Sequence, residues 1–428
     1  MTFCAKYAII TTMNEQEKLI SYLELADKFK AQKDYKSAIG CYENFIKIDP
    51  TKSVIYNLTA DLYNKAYGDD SLEKQIELYE NAYKLQPDNR LTLHGLAFSY
   101  EKIGNAQKAQ EFYRELLHNK PTETDFYNYG AFLIHNGDFV NGHKFFAHRF
   151  LTNDQNLKYP ADVSKKWDFK SDLAGKTLLI HYEQGFGDTI MYSRFVPFFK
   201  NIAKDVIFVV QKELFNLISQ SAIFQGIKVA TDDDDLKYDY NMALLDCPYV
   251  IKTNSQNLPY SDKYLDVSDN LVSSYAQKYL KTDKKYRIGL SCHGDMSANY
   301  NARNIDISKL INFEDYSDVQ FYNLQKDDDI RSNSVTALGD TFKDFTYSAC
   351  AVKNMDMVIT TDNVILNLAG ALGVKTVALF NKQTNYRWFK LNGEDVGWYK
   401  SVKPLQAKKQ NDFTQLVLDL SEYLKTTL

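Results

Sequence analysis

Apolar and aromatic residues recur through the first third of the chain at helical spacing, and the arrangement returns about every 34 residues. Counting back from Pro50, Tyr22, Leu25, Ala26 and Phe29 share one face of a predicted helix, and Ala38, Tyr42 and Phe45 share a face of the next. From Pro121 the same offsets fall on Leu93, Leu96, Ala97, Tyr100, Ala109, Tyr113 and Leu116. The middle copy runs from Ile76, Tyr79, Ala82 and Leu85 to Pro87, and is stretched around Tyr67-Gly68-Asp69-Asp70, which predicts a longer turn between its helices. A fourth, degraded copy extends from Tyr127 to Phe150, with Gly137-Asp138 at its turn. One such helix pair cannot bury its apolar face, whereas stacked pairs build a continuous core and leave a concave surface for an extended peptide or a partner helix.

Beyond residue 160 the helical period gives way to short apolar runs followed by Gly, Asn and Asp. Residues 177–181, 206–210, 286–290, 319–324, 357–360 and 376–380 read as buried parallel strands, with helical segments such as 190–202 and 364–372 between them. Strands alternating with helices predict a doubly wound α/β architecture. The polar stretch 251–285 is a natural seam between two Rossmann-like halves. The expected organisation is a repeat domain over residues 1–155, a first Rossmann-like half over 156–270 and a second over 271–428.

Composition narrows the classes. A chain of 428 residues is too long for one core. A net charge of -4 gives no global attraction to nucleic acid or anionic lipid, so neither is an expected partner. No apolar run of about 18 residues predicts a membrane span, and 1–12 makes a poor signal peptide, so a cytoplasmic location is expected. Five scattered cysteines without CxxC spacing fit isolated reduced thiols better than a disulfide frame or a zinc site. Asp232-Asp233-Asp234-Asp235 contains a DxD, but no strand leads into it and a solvated loop is the expectation, with no metal ion and no cofactor required.

Ligands of doubly wound folds sit just beyond strand ends, and there the chain places Glu183-Gln184-Gly185-Phe186-Gly187-Asp188, with a helix beginning near Asp188. This run, from Leu173 to Ile190 and on to Tyr192, Arg194, Phe195 and Pro197, resembles bacterial tetratricopeptide-repeat (TPR) proteins carrying a glycosyltransferase domain related to family 9, the heptosyltransferase family. Asp356 to Asp362 with Asn367 to Gly373 resembles that group's second signature, and Tyr386-Arg387-Trp388 with Gly397-Trp398-Tyr399 its C-terminal one. The resemblance implies an α + α/β protein: a TPR solenoid followed by a GT-B fold of two Rossmann-like domains. The acceptor would lie on the first half, at Glu183, Gln184, Gly185 and Gly187, and a nucleotide-sugar on the second.

In the site so implied, Asp188 is the expected catalytic base, and Lys326, beside Gln325, the expected cation at the donor phosphates. Gly294, Asp295 and Arg303 after one strand, and Thr361, Asp362, Asn363 and Asn367 after another, are expected nucleotide-sugar contacts. Relatives often have a histidine where this chain has Asn367, and Trp-Ser where it has Cys292-His293; an amide cannot shuttle a proton at neutral pH. The expected function is transfer of a sugar to a hydroxyl, a Ser or Thr of a protein such as flagellin or another surface protein held by the repeats. A heptosyltransferase-like enzyme of surface glycan synthesis and a catalytically silent scaffold are the alternatives.

Overall fold

The computed structural model describes residues 13–154, 159–293, 305–306, 311–326, 334–391 and 393–428. Chain contacts divide it into two compact units, Met1–Tyr129 and Gly130–Leu428.

The first unit is built from antiparallel helix pairs: α1 (Glu15–Ala31) with α2 (Tyr35–Ile48), α3 (Ser53–Tyr67) with α4 (Leu72–Leu85), and α5 (Arg90–Lys102) with α6 (Ala106–His118), followed by the start of α7 (Glu123–His135). Helix starts are fixed by side-chain caps: Asn14 and Glu17 form a reciprocal capping box on α1, while Asp34, Asn89 and Asn105 cap α2, α5 and α6. The alanines at the matched positions, Ala26, Ala38, Ala82, Ala97 and Ala109, are all fully buried, as the repeat pattern requires. Leu85 differs: at the last turn of α4 it is 44% exposed, because the helix ends there and no following turn covers it. The stretched middle copy holds a 3-10 turn, Gly68–Ser71, entered through Gly68 at φ 57. Tyrosines tie neighbouring helices by donating to carboxylates, as in Tyr79 to Asp61 at 2.6 Å and Tyr100 to Glu80 at 2.6 Å.

The second unit opens with the end of α7 and with α8 (Phe139–Phe146), which cross closely because Gly130 and Gly142 lie against each other's backbone. Two parallel sheets follow. In the first, β1 (Thr177–His181), β2 (Asp205–Val209), β3 (Lys228–Ala230) and β4 (Tyr240–Ala243) lie in the order β3-β2-β1-β4. In the second, β5 (Tyr286–Ser291), β6 (Val319–Asn323), β7 (Val335–Ala337), β8 (Met357–Thr361), β9 (Thr376–Phe380) and β10 (Val402–Gln406) lie in the order β10-β9-β8-β5-β6-β7. Each sheet runs outward, then restarts on the other side of its first strand, which is the doubly wound pattern. The central strands are covered on both faces, so they read as short, mainly apolar runs with no polar alternation.

Helices α9 (Phe186–Ser193) and α10 (Lys212–Gln220) belong to the first sheet. Helix α11 (Asp269–Tyr279), capped by Ser268, lies within the stretch read from sequence as a seam and leads into β5. Helices α12 (Phe345–Lys353), α13 (Val364–Ala371) and α14 (Thr414–Thr427) cover the second sheet, α14 through Leu416, Leu420 and Leu424. The helix expected over 190–202 ends at Ser193; Pro197, which lacks an N–H, instead starts a 3-10 turn, Val196–Asn201.

Candidate functional site

In the second sheet the strand order reverses between β5 and β8, and side chains there stitch three strand ends together. Asn363, just past β8, donates through Nδ2 to the carbonyl oxygens of Ser291 (2.8 Å) and His293 (3.2 Å), while its Oδ1 accepts from Ile365 N (2.9 Å) and so caps α13. Gln325, just past β6, accepts from the N–H groups of Cys292 (2.8 Å) and His293 (2.9 Å) and donates back to His293 O (3.1 Å). Thr360 donates to Ser291 O at 2.7 Å. The turn Ser291-Cys292-His293 is therefore held on both sides by neutral carboxamides, which form a cradle at the crevice where such sheets take ligands. Thr361 and Asp362 are buried beside it, and Lys326 is exposed at its rim.

The first half meets this region through α9. Gly185 is the N-cap, and Asp188, at the third helical position, accepts from Gly185 N at 3.3 Å. Its Oδ1 lies 2.7 Å from Arg387 Nη2, and both side chains are more than nine-tenths buried. Burial alone would lower the Arg387 pKa, but Asp188, Tyr386 and Asp362 outweigh it and the guanidinium stays charged. Gly187 packs directly on Asn367, leaving no room for a side chain. Asn367 also accepts from Tyr399 OH at 3.0 Å, and Tyr399 lies flat on Gly370. Arg194, at the end of α9, donates to Trp398 O at 2.7 Å and stacks on Tyr264 and Tyr399, so the C-terminal aromatic signature is gripped by the first half. Among the described residues the Arg387 Nε and the Tyr192 hydroxyl are buried without a partner, which leaves polar capacity around the Asp188–Arg387 pair.

The equivalent crevice of the first sheet, between β1 and β4, is filled by protein. Arg149, wholly buried, comes from the 3-10 turn Ala147–Leu151 after α8. It donates twice to Glu183 past β1, at 2.8 and 2.6 Å, and once to Asp246 past β4, at 2.8 Å. Burial raises the Glu183 pKa and Arg149 pulls it back down, with the net direction upward. Glu183 is thus bound into a buried ion cluster, and Gln184, at φ 61, lies at the turn with its carbonyl accepting from Gln211 at 3.4 Å.

Gln325, Thr361, Asp362, Asn363 and Asn367 converge at the second sheet, with Gly187 against Asn367 and Asp188 on Arg387, while Gly185 contacts Asp188 of its own loop. Gly294, Asp295 and Arg303 lie outside the described residues. Sequence reading assigned no role to Arg149, Arg194 or Arg387. Each stands among aromatics, as in Phe145-Phe146 before Arg149 and Tyr386 beside Arg387, and an arginine embedded in an apolar aromatic run is the signal of a buried, partnered guanidinium: Arg149 and Arg387 pair with carboxylates, Arg194 with backbone carbonyls.

No protein-family model and no curated protein matches the chain. Among solved structures, MamA is similar over 36% of this chain and 88% of its own, at 18% identity and TM-score 0.31. A thermophilic TPR protein of Thermus thermophilus is similar over 31% of this chain and 74% of its own, at 15% identity and TM-score 0.28. A family 9 glycosyltransferase of Veillonella parvula is similar over 61% of this chain and 92% of its own, at 11% identity and TM-score 0.42. The chain is therefore similar to TPR proteins over its N-terminal part and, over a larger share, to a family 9 glycosyltransferase.

Proposed function

We propose that the second unit transfers a sugar from a nucleotide-sugar to a hydroxyl acceptor, and that the acceptor is a protein whose extended segment the helical repeats hold. The reading rests on one observation: the Asp188 loop of one Rossmann-like half is set against the strand-end cradle of the other, with Arg387 joining them. In this reaction the acceptor oxygen bonds to the sugar's anomeric carbon, the bond from that carbon to the phosphate oxygen breaks, and the acceptor proton passes to Asp188. The phosphate of the departing nucleotide gains negative charge, which Arg387 and Lys326 offset. Asp188 is 6% exposed, so a hydroxyl reaches it only when α9 and α13 draw apart. Binding needs no metal ion and no resident cofactor in this reading.

The same burial favours a second reading, a silent scaffold in which Asp188 and Arg387 simply pin the two halves together. A thermal-shift series with UDP-, GDP-, ADP- and CMP-sugars separates them. The transferase reading expects Tm to rise with one nucleotide class, by an amount that Lys326→Ala reduces; no shift with any of them leaves the scaffold. With the donor known, mass spectrometry of candidate acceptor proteins identifies the product. Asp188→Asn should then lower turnover by about 10²- to 10⁴-fold at unchanged donor affinity, and a loss under about tenfold would remove Asp188 as the base.

A further inference from the structure

We propose that the crevice between α10, α11 and α12 is a second small-molecule site, taking a flat ring compound that carries an anionic group. The cavity measures about 500 Å³, within the range of small-ligand pockets. Its walls come from three places: Asn216 on the first half, Tyr275 and Tyr279 on the helix leading into the second, and Thr346, Tyr347 and Cys350 on the second half.

Ring chemistry dominates one side. Tyr275 and Tyr279 stand 4.9 Å apart, centroid to centroid, and Tyr347 faces the same space. Such tyrosines offer a planar guest stacking and edge contacts. Charge comes from Lys278, whose Nζ lies 4.9 Å from the Tyr279 ring centre, and Lys343, 5.5 Å from that of Tyr347. Among the described residues neither lysine pairs with a carboxylate. Asp344, the one carboxylate in the wall, is already engaged: one oxygen accepts from Thr346 N at 2.8 Å and the other from Asn216 at 2.7 Å. Burial holds the Cys350 thiol at about 11, so it adds no negative charge. Thr346 is 9% exposed, and its hydroxyl is buried without a partner among the described residues. The surroundings therefore combine aromatic faces, an unanswered hydroxyl and a surplus of positive charge, which complements an aromatic carboxylate or sulfonate better than a neutral ring.

None of these residues belongs to the strand-end cradle, and the proposal stands whether or not the chain is a transferase. An occupant touches both halves and the helix that leads from one to the other, so binding stabilises their docked arrangement by mass action.

The probe is 2-naphthoate, measured by titration calorimetry on the full chain, with neutral 2-naphthalenemethanol as its comparison. The expected result is that naphthoate binds and raises Tm and that the alcohol binds more weakly. Lys278→Gln combined with Lys343→Gln should weaken naphthoate by about tenfold, and Tyr279→Ala likewise, while both proteins melt normally without ligand. Lys326→Ala, at the rim of the other site, should leave naphthoate affinity unchanged. Absence of binding at millimolar probe, equal affinity for the alcohol, or affinity indifferent to the lysine and tyrosine changes would overturn the assignment.

Discussion

Arg149 places one positive charge between two carboxylates in a dry interior, and Asp246 keeps its second oxygen buried without a partner among the described residues. Removing the cation while leaving the anions costs far more than the pair contributes when intact, so Arg149→Met should destabilise the second unit by about 3–5 kcal/mol in urea unfolding. Adding Glu183→Gln and Asp246→Asn should recover part of that loss, because the uncompensated charges disappear with the guanidinium. His143 gives the opposite kind of sensitivity. Burial, and then the nearby Arg149 charge, push its pKa down to about 3, so the folded imidazole is neutral while the unfolded one takes a proton near its ordinary value of 6.5. Stability from this residue is therefore whole above pH 6.5 and is lost as the pH falls toward 3. The slope is about 1.4 kcal/mol per pH unit, and His143→Phe should flatten unfolding free energies measured between about pH 6 and 4.

Among the elements, α8 and the turn after it repeat the helical pattern of the array yet pack into the second unit, through Phe139 on Phe389 and Trp398 and through Arg149. A fragment starting at residue 130 should accordingly fold and melt cooperatively, whereas one starting at 156 should not; circular dichroism melts of the two decide it. The elements themselves were largely legible. Six strands stand where apolar runs predicted them, because strands covered on both faces carry a continuous signal. Helix α9 was overdrawn because its apolar run continues past Pro197, which ends it. Sheet order and the long-range pairs were not legible, since Arg194 meets Trp398 across more than half of the second unit's length and no local period records such a contact. The candidate site was half legible. Glycine, asparagine and aspartate after strands marked the strand ends, but that Asp188 would face Arg387 and that Glu183 would be absorbed by Arg149 depended on tertiary packing.

For the molecule as a whole, the contacts that dock the two Rossmann-like halves in the second unit include Gly187 on Asn367, Asp188 with Arg387, Asn216 with Asp344, Phe186 on Phe345, and Arg194 on the Trp398-Tyr399 backbone and rings. If access to Asp188 depends on their separation, weakening one contact should loosen the others. Arg194→Gln should speed amide hydrogen exchange in α9, in α13 and around residue 398 together, and leave α1 to α4 unchanged; an effect confined to α9 would show the contacts to be independent. The cradle at the second sheet carries a different consequence. Asn363 and Gln325 grip its turn with groups that neither gain nor lose protons in water, and Asn367 joins them beside Gly187. Acidification of the surroundings leaves that grip unaltered, so any dependence of turnover on acidity would have to enter through ionisable groups around the cradle, Asp188 first among them, not through the amides that shape it.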